Sequence, residues 1–265
     1  TQGVSSAASD VYKRQIFMFI TYGDSRIGLV RKANEDSISD CIGPFFILAD
    51  GMGGYVGGKV ASSLAVESAK KYLNNISLKD ISEETLKESI LLANRMILEK
   101  KAKNEDLSAM GTTMISVVIH DGSLSWAHVG DSRLYIYSKG KLQQITTDHS
   151  FVMELLARGK ITEEEMAVHP RKNEITRAVG IKQDLEVDTG TISLKNGTLV
   201  LICTDGLTGM ISEEAISDIL SGYEYQTKED LAKCGEQLFN AAYAEGAKDN
   251  ISLILIDYWS RENGE

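Results

Sequence analysis

Apolar residues are arranged along the chain in two patterns, which predict strands and helices. Short runs rich in β-branched and aromatic residues have the length of strands with at least one buried face. These runs are residues 45–49, 112–119, 124–129, 134–137, 142–145, 198–204 and 251–257. Other segments repeat apolar residues at the spacing of an amphipathic helix. These segments are residues 60–73, 83–101, 151–158, 212–220 and 228–244.

The order of these elements predicts an α+β fold. Tight turns at Asp121-Gly122, Asp131-Ser132 and Lys139-Gly140 join the middle strands, so these strands should form antiparallel hairpins. The helices come in sequence pairs, without the steady βαβ alternation of a parallel sheet. We therefore predict two packed antiparallel β-sheets flanked by pairs of helices, an αββα sandwich. The polar residues 159–185 predict a small surface subdomain beside it.

The first residues differ in character from the rest of the chain. Residues 1–17 are mostly small and polar, without the apolar core of a signal peptide. Part of this segment resembles translated sequencing-adapter sequence, so we expect a non-native tail; a disordered native tail is the alternative. We expect a single domain over residues 18–260, with the natural protein starting near Met18.

Composition narrows the classes of partner. Lys and Arg number 28 against 38 Asp and Glu, a net charge of −10, which argues against nucleic acid and suits a protein that concentrates cations. No apolar run approaches the ~20 residues of a membrane helix. The three cysteines, Cys41, Cys203 and Cys234, have no paired spacing, and none begins a Cys-x5-Arg phosphatase loop. We therefore expect a cytoplasmic protein, a monomer, that binds neither nucleic acid nor membrane.

Several acidic residues stand at the tips of predicted strands. They are Asp50, Asp131, Asp205 and Asp249, with Glu35 and Asp36 shortly before the first run. A strand tip holds a carboxylate rigidly at the edge of the core, and several converging tips can bind hard divalent cations through oxygen. One such residue is weak evidence, because an Asp-Gly after a strand is more often a plain turn, as we expect of Asp121-Gly122.

Eight short segments occur in the order in which one known family carries them. They are GLVRKANEDS (28–37), ADGMGGYVGGKVAS (49–62), GTT (111–113), HVGDSRLY (128–135), TTDHS (146–150), HP with ITRAVG (169–180), CTDGLT (203–208) and KDNIS (248–252). Together they span about residues 20–257 and resemble the bacterial branch of the type 2C metal-dependent serine/threonine protein phosphatases.

This resemblance implies a set of oxygen ligands for Mn²⁺ or Mg²⁺. It implies that Asp50 bridges two catalytic ions and that the carbonyl of Gly51 binds one of them. The further ligands that it implies are Asp205 and Asp249 for the first ion, Glu35 and Asp36 for the second, and Asp131 with Asp205 for a possible third. Two such ions can lower the pKa of a water and orient it in line with phosphorus.

The resemblance also assigns the remaining parts of the reaction. Arg31 stands where the family keeps a phosphate-binding arginine, whose planar fork fits two phosphate oxygens, so Arg31 and Asp50 are the expected catalytic residues. Residues 151–185 resemble the mobile flap beside the cleft. The expected substrates are phosphorylated proteins, among them a serine/threonine kinase of the same cell and its targets.

One position departs from the animal and plant branch of this family. That branch has a histidine, considered a general acid, where Met52 stands, and a thioether cannot deliver a proton. The leaving group would then take its proton from a metal-bound water, with His128, His149 and His169 as other candidates, although a histidine is more often structural.

Two other functions are compatible with parts of the sequence. Residues 53–59 fit the G-x-x-x-x-G-K pattern of a nucleotide-binding loop, but Val60 replaces its Ser or Thr, and the hairpins argue against a parallel sheet. A catalytically inactive regulatory module on the phosphatase fold is the second alternative, although all the expected acids are present.

Overall fold

The computed structural model describes residues 19–259, apart from residues 42, 55 and 226. The interpretation of residues 1–17 as a tail, and the proposed start at Met18, lie outside the described residues. The strands in the described part are β1 (Phe19–Arg26), β2 (Ser37–Ile38), β3 (Phe45–Ala49), β4 (Gly51–Met52), β5 (Gly111–Thr112), β6 (Met114–His120), β7 (Ser123–Val129), β8 (Arg133–Ser138), β9 (Lys141–Gln144), β10 (Asp188–Ser193), β11 (Thr198–Cys203) and β12 (Ile251–Tyr258).

Two five-stranded sheets form the centre of the fold. One sheet has the order β1-β12-β11-β8-β9, the other has the order β10-β7-β6-β3-β2, and β4 pairs with β5 in a small third sheet. All the strand pairs in these sheets are antiparallel. The left-handed φ angles of Asp121 and Lys139, each followed by a glycine, confirm two of the three predicted hairpin turns. The third, at Asp131-Ser132, is wrong, because the chain crosses there from β7 in one sheet to β8 in the other.

Helices cover the outer faces of both large sheets. In the described part of the chain they are α1 (Gly57–Leu73), α2 (Glu83–Ala102), α3 (Phe151–Ala157), α4 (Glu163–Val168), α5 (Asp205–Thr208), α6 (Glu213–Ser221) and α7 (Lys228–Ala244), with 3₁₀ turns at Leu78–Asp80 and Glu105–Leu107. Helix α2 begins at a capping box in which Ser82 and Thr85 bond each other's backbone N–H groups. Gly159, with a φ of 62°, follows the end of α3 as predicted.

Successive side chains along a strand point to opposite faces of its sheet, and this divides the core into three layers. On β3, Phe46 and Leu48 point into the layer between the two sheets, where they meet Ile254 and Ile256 of β12. The intervening Ile47 packs against α1 and α2. The opposite outer face, with buried residues of β11 and β12, packs against α6 and α7. This arrangement confirms the predicted αββα sandwich.

The structure corrects several predicted boundaries and adds four strands. Strands β1, β2, β4 and β10 were not predicted, α1 begins at Gly57 instead of residue 60, and Asp205 opens the short helix α5. The predicted strand 112–119 is interrupted at Thr113, whose N–H donates to the carbonyl of Asp50 at 2.8 Å. This bond turns the chain away from the large sheet, so that Gly111–Thr112 pairs with Gly51–Met52 instead.

The segment predicted as a surface subdomain contains the short, largely exposed helix α4, and the mostly half-buried helix α3 directly precedes it. Arg171 lies over the ring of Phe151 at 3.6 Å from its centroid, and the N–H of Phe151 donates to Glu174. The returning chain forms isolated β-bridges from Ile175 to Ser150 and from Val179 to Thr112. The segment is thereby tied back to the sandwich beside β5. Among the described residues, no helix is both long and apolar enough to cross a bilayer.

Candidate active site

A cavity of about 560 Å³ opens at the edge where the acidic strand tips meet. It is lined by the carboxylates of Glu35, Asp50, Asp131, Asp205 and Asp249, with Arg31 beside them. The topology explains this convergence. Strands β3, β7 and β11 run toward this edge, so the residues after them lie there, whereas the antiparallel β12 begins at the same edge, so the residue before it lies there too.

Asp50 is the most firmly held of these residues. Its N–H donates to Thr113 Oγ1 at 3.0 Å, and its carbonyl accepts from the hydroxyl of Thr112 at 2.7 Å. Burial, and then the nearby charges of Asp36, Asp205, Asp131 and Asp249, raise the pKa of Asp50 well above its usual value. The next residue, Gly51, is buried and also lines the cavity.

Asp36 lies behind the cavity wall and does not line it. It is 1% exposed, and its Oδ2 accepts hydrogen bonds from the hydroxyls of Ser252 at 2.6 Å and Thr204 at 3.2 Å. Its Oδ1 is buried without a hydrogen-bond partner in the described structure. Buried oxygens normally have a hydrogen-bond partner, so a bound ion would supply the partner that Oδ1 lacks. The assignment of Asp36 to the second ion stays a prediction.

Burial also raises the pKa values of three other acids of the site. Burial, and then repulsion from Asp205, raise the pKa of Asp131 to about 7. Burial, and then the charge of Asp249, raise the pKa of Asp205, and burial raises that of Glu35. Buried like charges without an internal counter-charge are costly unless a cation joins them. The chemistry of this donor set, all oxygen, therefore fits Mn²⁺ or Mg²⁺.

The carboxylates line the cavity without closing into a formed metal shell. No three His, Cys, Asp or Glu side chains of the described residues are grouped tightly enough to hold an ion as they stand. The acids thus line one cavity. Which of them binds which ion stays a prediction.

The raised pKa values predict how cations affect stability at different pH values. A carboxyl whose pKa is higher in the folded than in the unfolded state favours folding at low pH and loses that contribution as the pH rises through its folded pKa. For Asp36 and Asp131 this loss spans pH about 4 to about 7. We therefore expect Mg²⁺ to raise the melting temperature by several degrees more at pH 7.5 than at pH 5, measured by calorimetry with and without EDTA. An equal effect of Mg²⁺ at both pH values would contradict this.

Arg31 lies at the mouth of the cavity. Its Nη2 donates to Asp249 Oδ2 at 2.5 Å, and its side chain is 53% exposed. This hydrogen bond to Asp249 raises the pKa of the guanidinium further. The remaining guanidinium donors are available to an anion that enters the cavity.

The glycine-rich segment that resembles a nucleotide-binding loop has a packing role. A Cβ at Gly58 would lie 2.6 Å from Glu35 Oε2 and 2.8 Å from the backbone of Gly51. The absence of a side chain therefore lets the start of α1 pack directly against the strand that carries Asp50 and Gly51. Strand β4, which directly precedes this segment, pairs antiparallel with β5, so the parallel sheet of a nucleotide-binding fold is not formed here.

The histidine candidates for a general acid do not line the cavity, whereas Met52 does. His128 is fully buried, and burial lowers its pKa to about 3, so the ring is uncharged near neutral pH and cannot serve as the acid. His149 accepts from the N–H of Gly130 through Nδ1 at 3.1 Å and contacts Asp188 through Nε2 at 3.1 Å. His169 accepts from the N–H of Arg171. These contacts indicate structural roles for His149 and His169.

Sequence reasoning did not select every residue that the structure brings to the site. Thr113, Asn173 and Ile175 also line the cavity, the last two from the surface segment 151–185. Asn250 lies behind the cavity and bonds the loop that carries Arg31. Thr113, Ile175 and Asn250 lie in the quoted segments GTT, ITRAVG and KDNIS, but the sequence did not assign them a role, because their roles depend on contacts between distant segments.

Comparisons with known proteins agree with this geometry. The sequence model of the family described as "Protein phosphatase 2C" matches residues 31–255. The chain is 35% identical over 237 residues to the serine/threonine phosphatase stp of Listeria welshimeri, covering 87% of this chain and 92% of that protein. It is 34% identical over 236 residues to the protein phosphatase PhpP of Streptococcus pneumoniae, covering 87% and 94%.

Solved structures are similar over the same span. The Mycobacterium tuberculosis serine/threonine phosphatase PstP/Ppp superposes with a TM-score of 0.83 at 32% identity, covering 91% of this chain and 99% of that chain. The catalytic domain of PstP in complex with two manganese ions gives a TM-score of 0.81 at 30% identity, with the same coverage.

Proposed function

We propose, since the chain belongs to the protein phosphatase 2C family, that the acid-lined cavity is the site at which it removes phosphate from proteins. As a family member the chain is a metal-dependent serine/threonine protein phosphatase. The observation that carries the placement of the reaction is the convergence of five carboxylates and one guanidinium on a single cavity. The described lining of this cavity contains no cysteine or histidine nucleophile.

The residues of the cavity divide into metal ligands and a phosphate ligand. We propose that Asp50, the carbonyl of Gly51, Asp205 and Asp249 hold two ions together with Glu35 and Asp36, and that Asp131 serves a third. When bound, the ions supply Lewis-acid activation of the attacking water and neutralise phosphate charge. Arg31 binds phosphate oxygens, and its present partner Asp249 keeps the guanidinium oriented over the cavity until phosphate arrives.

The leaving serine or threonine oxygen needs a proton. Met52 cannot supply it, and the three candidate histidines lie off the cavity. We therefore propose that solvent in the open cavity donates this proton. A variant at His128, His149 or His169 would then lose activity only through its effects on structure.

The natural substrates are phosphoproteins. We propose that they include a serine/threonine kinase of the same cell and its targets, and that the enzyme acts as a monomer in the cytoplasm. Three free cysteines, Cys41, Cys203 and Cys234, agree with a reducing compartment. The presence of all the expected acids argues against an inactive regulatory module.

The test is hydrolysis of phosphothreonine and phosphoserine peptides by the purified protein. We expect turnover with Mn²⁺ or Mg²⁺ and its loss, by about 10³-fold or more, in excess EDTA. Restoring the ions should restore the activity. ATP and GTP serve as control substrates, because a nucleotide-binding protein would hydrolyse them in preference. Full phosphopeptide turnover in EDTA would contradict the proposal.

A further inference from the structure

The loop between β1 and β2 carries Arg31 and ends beside Glu35, and it contains almost no secondary structure of its own. It runs from Ile27 to Asn34 through a turn at residues 28–30. Arg31 is half exposed at its tip. A loop of this length without internal support would sample many conformations, yet a phosphate ligand must be held in place to be effective.

One buried side chain from a distant part of the sequence closes this loop. The amide of Asn250 is 4% exposed, and its Nδ2 donates to the carbonyls of Ile27 at 3.0 Å and Ala33 at 2.9 Å. Its Oδ1 accepts from the N–H of Glu35 at 2.8 Å. The amide thus uses both donors and its acceptor on the two ends of one loop, and these three bonds fix the orientation of the amide.

The backbone around Asn250 supports the same loop. The N–H of Leu29 donates to the carbonyl of Ala247 at 2.8 Å. Gly28 has a φ of 76°, and a Cβ there would lie 2.2 Å from the carbonyl oxygen of Asp249, so this position requires glycine on both counts. The loop therefore packs directly onto the segment 247–250, which precedes β12.

The position of Asn250 in the chain links this loop to a carboxylate of the cavity. Asn250 directly follows Asp249, whose Oδ2 accepts from Arg31. The N–H of Asn250 donates to the other oxygen of that carboxylate, Oδ1, at 2.8 Å. Asn250 consequently contacts two acids of the cavity that lie near Arg31: it bonds the backbone of Glu35 and the side chain of Asp249.

We propose that Asn250 is a positioning residue that sets the placement of Arg31 relative to Glu35 and Asp249. It does not line the cavity and acts through these three residues. The inference rests on the proposed function, because it assumes that Arg31 receives the phosphate. A displacement of about 1 Å in such a group can lower the rate about 10²-fold.

The test uses two substitutions that remove different bonds. Asn250→Ala removes all three side-chain bonds. Asn250→Asp keeps the size and the acceptor for the Glu35 N–H but places an oxygen against the carbonyls of Ile27 and Ala33. The aspartate variant also serves if the alanine variant does not fold.

Asn94 offers a matched control elsewhere in the fold. It is 2% exposed, its Nδ2 donates to the carbonyl of Lys182 at 2.8 Å, and its Oδ1 accepts from the N–H of Gly180 at 2.6 Å. Its substitution by Ala or Asp breaks a buried amide link of the same kind, without contact to Arg31. The control therefore reports what the loss of such a link costs in stability and in phosphate inhibition when Arg31 is not contacted.

The first measurement is residue-resolved hydrogen exchange on the metal-free protein. In the unaltered chain the amides of Leu29 and Glu35 should be protected. Asn250→Ala should speed exchange at both, Asn250→Asp should speed it at Leu29 more than at Glu35, and the Asn94 variants should affect residues 180–183 instead. Fast exchange of the Glu35 amide in the unaltered protein would overturn the inference, whether or not any variant folds.

The second measurement is kinetic, with a phosphopeptide as substrate and inorganic phosphate as competitive inhibitor. We expect both Asn250 variants to lower kcat/KM about tenfold to 10²-fold and to weaken phosphate inhibition in proportion. In an Arg31→Ala background, the Asn250 substitutions should cost little more. The Asn94 variants should leave phosphate inhibition unchanged. Equal melting losses in the two sets, with phosphate inhibition intact in both, would mean that Asn250 is only structural.

Failure of the inference and failure of the proposed function are separable. If the unaltered protein hydrolyses no phosphopeptide with Mn²⁺ or Mg²⁺, the proposed function fails, whereas the hydrogen-exchange result still decides whether Asn250 closes the loop. If the enzyme is active and Arg31→Ala has no effect on phosphate inhibition, the roles assigned to Arg31 and Asn250 fail, while the proposed phosphatase activity stands.

Discussion

Asn in place of Asp50 is expected to abolish turnover of every phosphorylated substrate. The carboxylate lies among four other acids, and its backbone is fixed to Thr112 and Thr113, so no other side chain can take its place. Removing its charge should weaken divalent-ion binding and lower the rate by about 10³-fold or more. The measurements are phosphatase kinetics, and calorimetric titration with Mn²⁺.

Asp121→Asn is the matched control for this substitution. Asp121 also precedes a glycine after a strand, but it stands in an exposed hairpin turn with a φ of 47°. Asparagine tolerates that conformation, so activity and metal binding should stay at the level of the unaltered enzyme. The Asp50 variant should melt no lower than the unaltered metal-free protein, because a buried repulsive charge is removed. If Asp50→Asn binds two ions with unchanged affinity, the placement of the active site is wrong.

Local sequence pattern predicts the elements whose stabilising contacts are themselves local. Helix α2 has its capping residues within four positions, and the hairpin β6–β7 has its turn residues between its strands, so both are readable from a short window. Strand β1 was missed because its sequence, FITYGDSR, contains a glycine and two charged residues, and all of its residues are only partly buried. It forms a strand because its eight residues pair with β12 at the other end of the chain.

The same distinction separates the site residues that could be predicted from those that could not. A carboxylate at a strand tip leaves a local signature, and the family resemblance selected the relevant tips from the ordinary turns. Five of the six predicted acids line the cavity, while Asp36 lies behind it. Ile175 and Asn250 lie in two of the quoted family segments, and Asn173 lies between HP and ITRAVG, but none shows its role there, because an asparagine or isoleucine in a loop acquires its role only when distant segments meet.

We expect Asp131→Ala to lose turnover but, unlike Asp50→Asn, to keep the binding of metal ions. Asp131 lines the cavity together with Asn173 and Ile175 of the surface segment. The carbonyl of the preceding Gly130 accepts from the N–H of His149, two residues before that segment, at 2.7 Å. We expect the loss of Asp131 to leave the ions held by Asp50 measurable by calorimetry.

Turnover by Asp131→Ala should fall about tenfold to 10²-fold for a phosphopeptide, and less for a small aryl phosphate, because only the larger substrate reaches the surface segment. Asp257→Ala is the control. Asp257 is also a buried acid, but it pairs with Leu199 at the far end of β11 from Asp205. Its loss should change the stability of the fold without changing the ratio of the turnover rates for the two substrates. Equal losses for both substrates in Asp131→Ala, together with loss of metal binding, would place Asp131 in the same centre as Asp50 and remove its separate role.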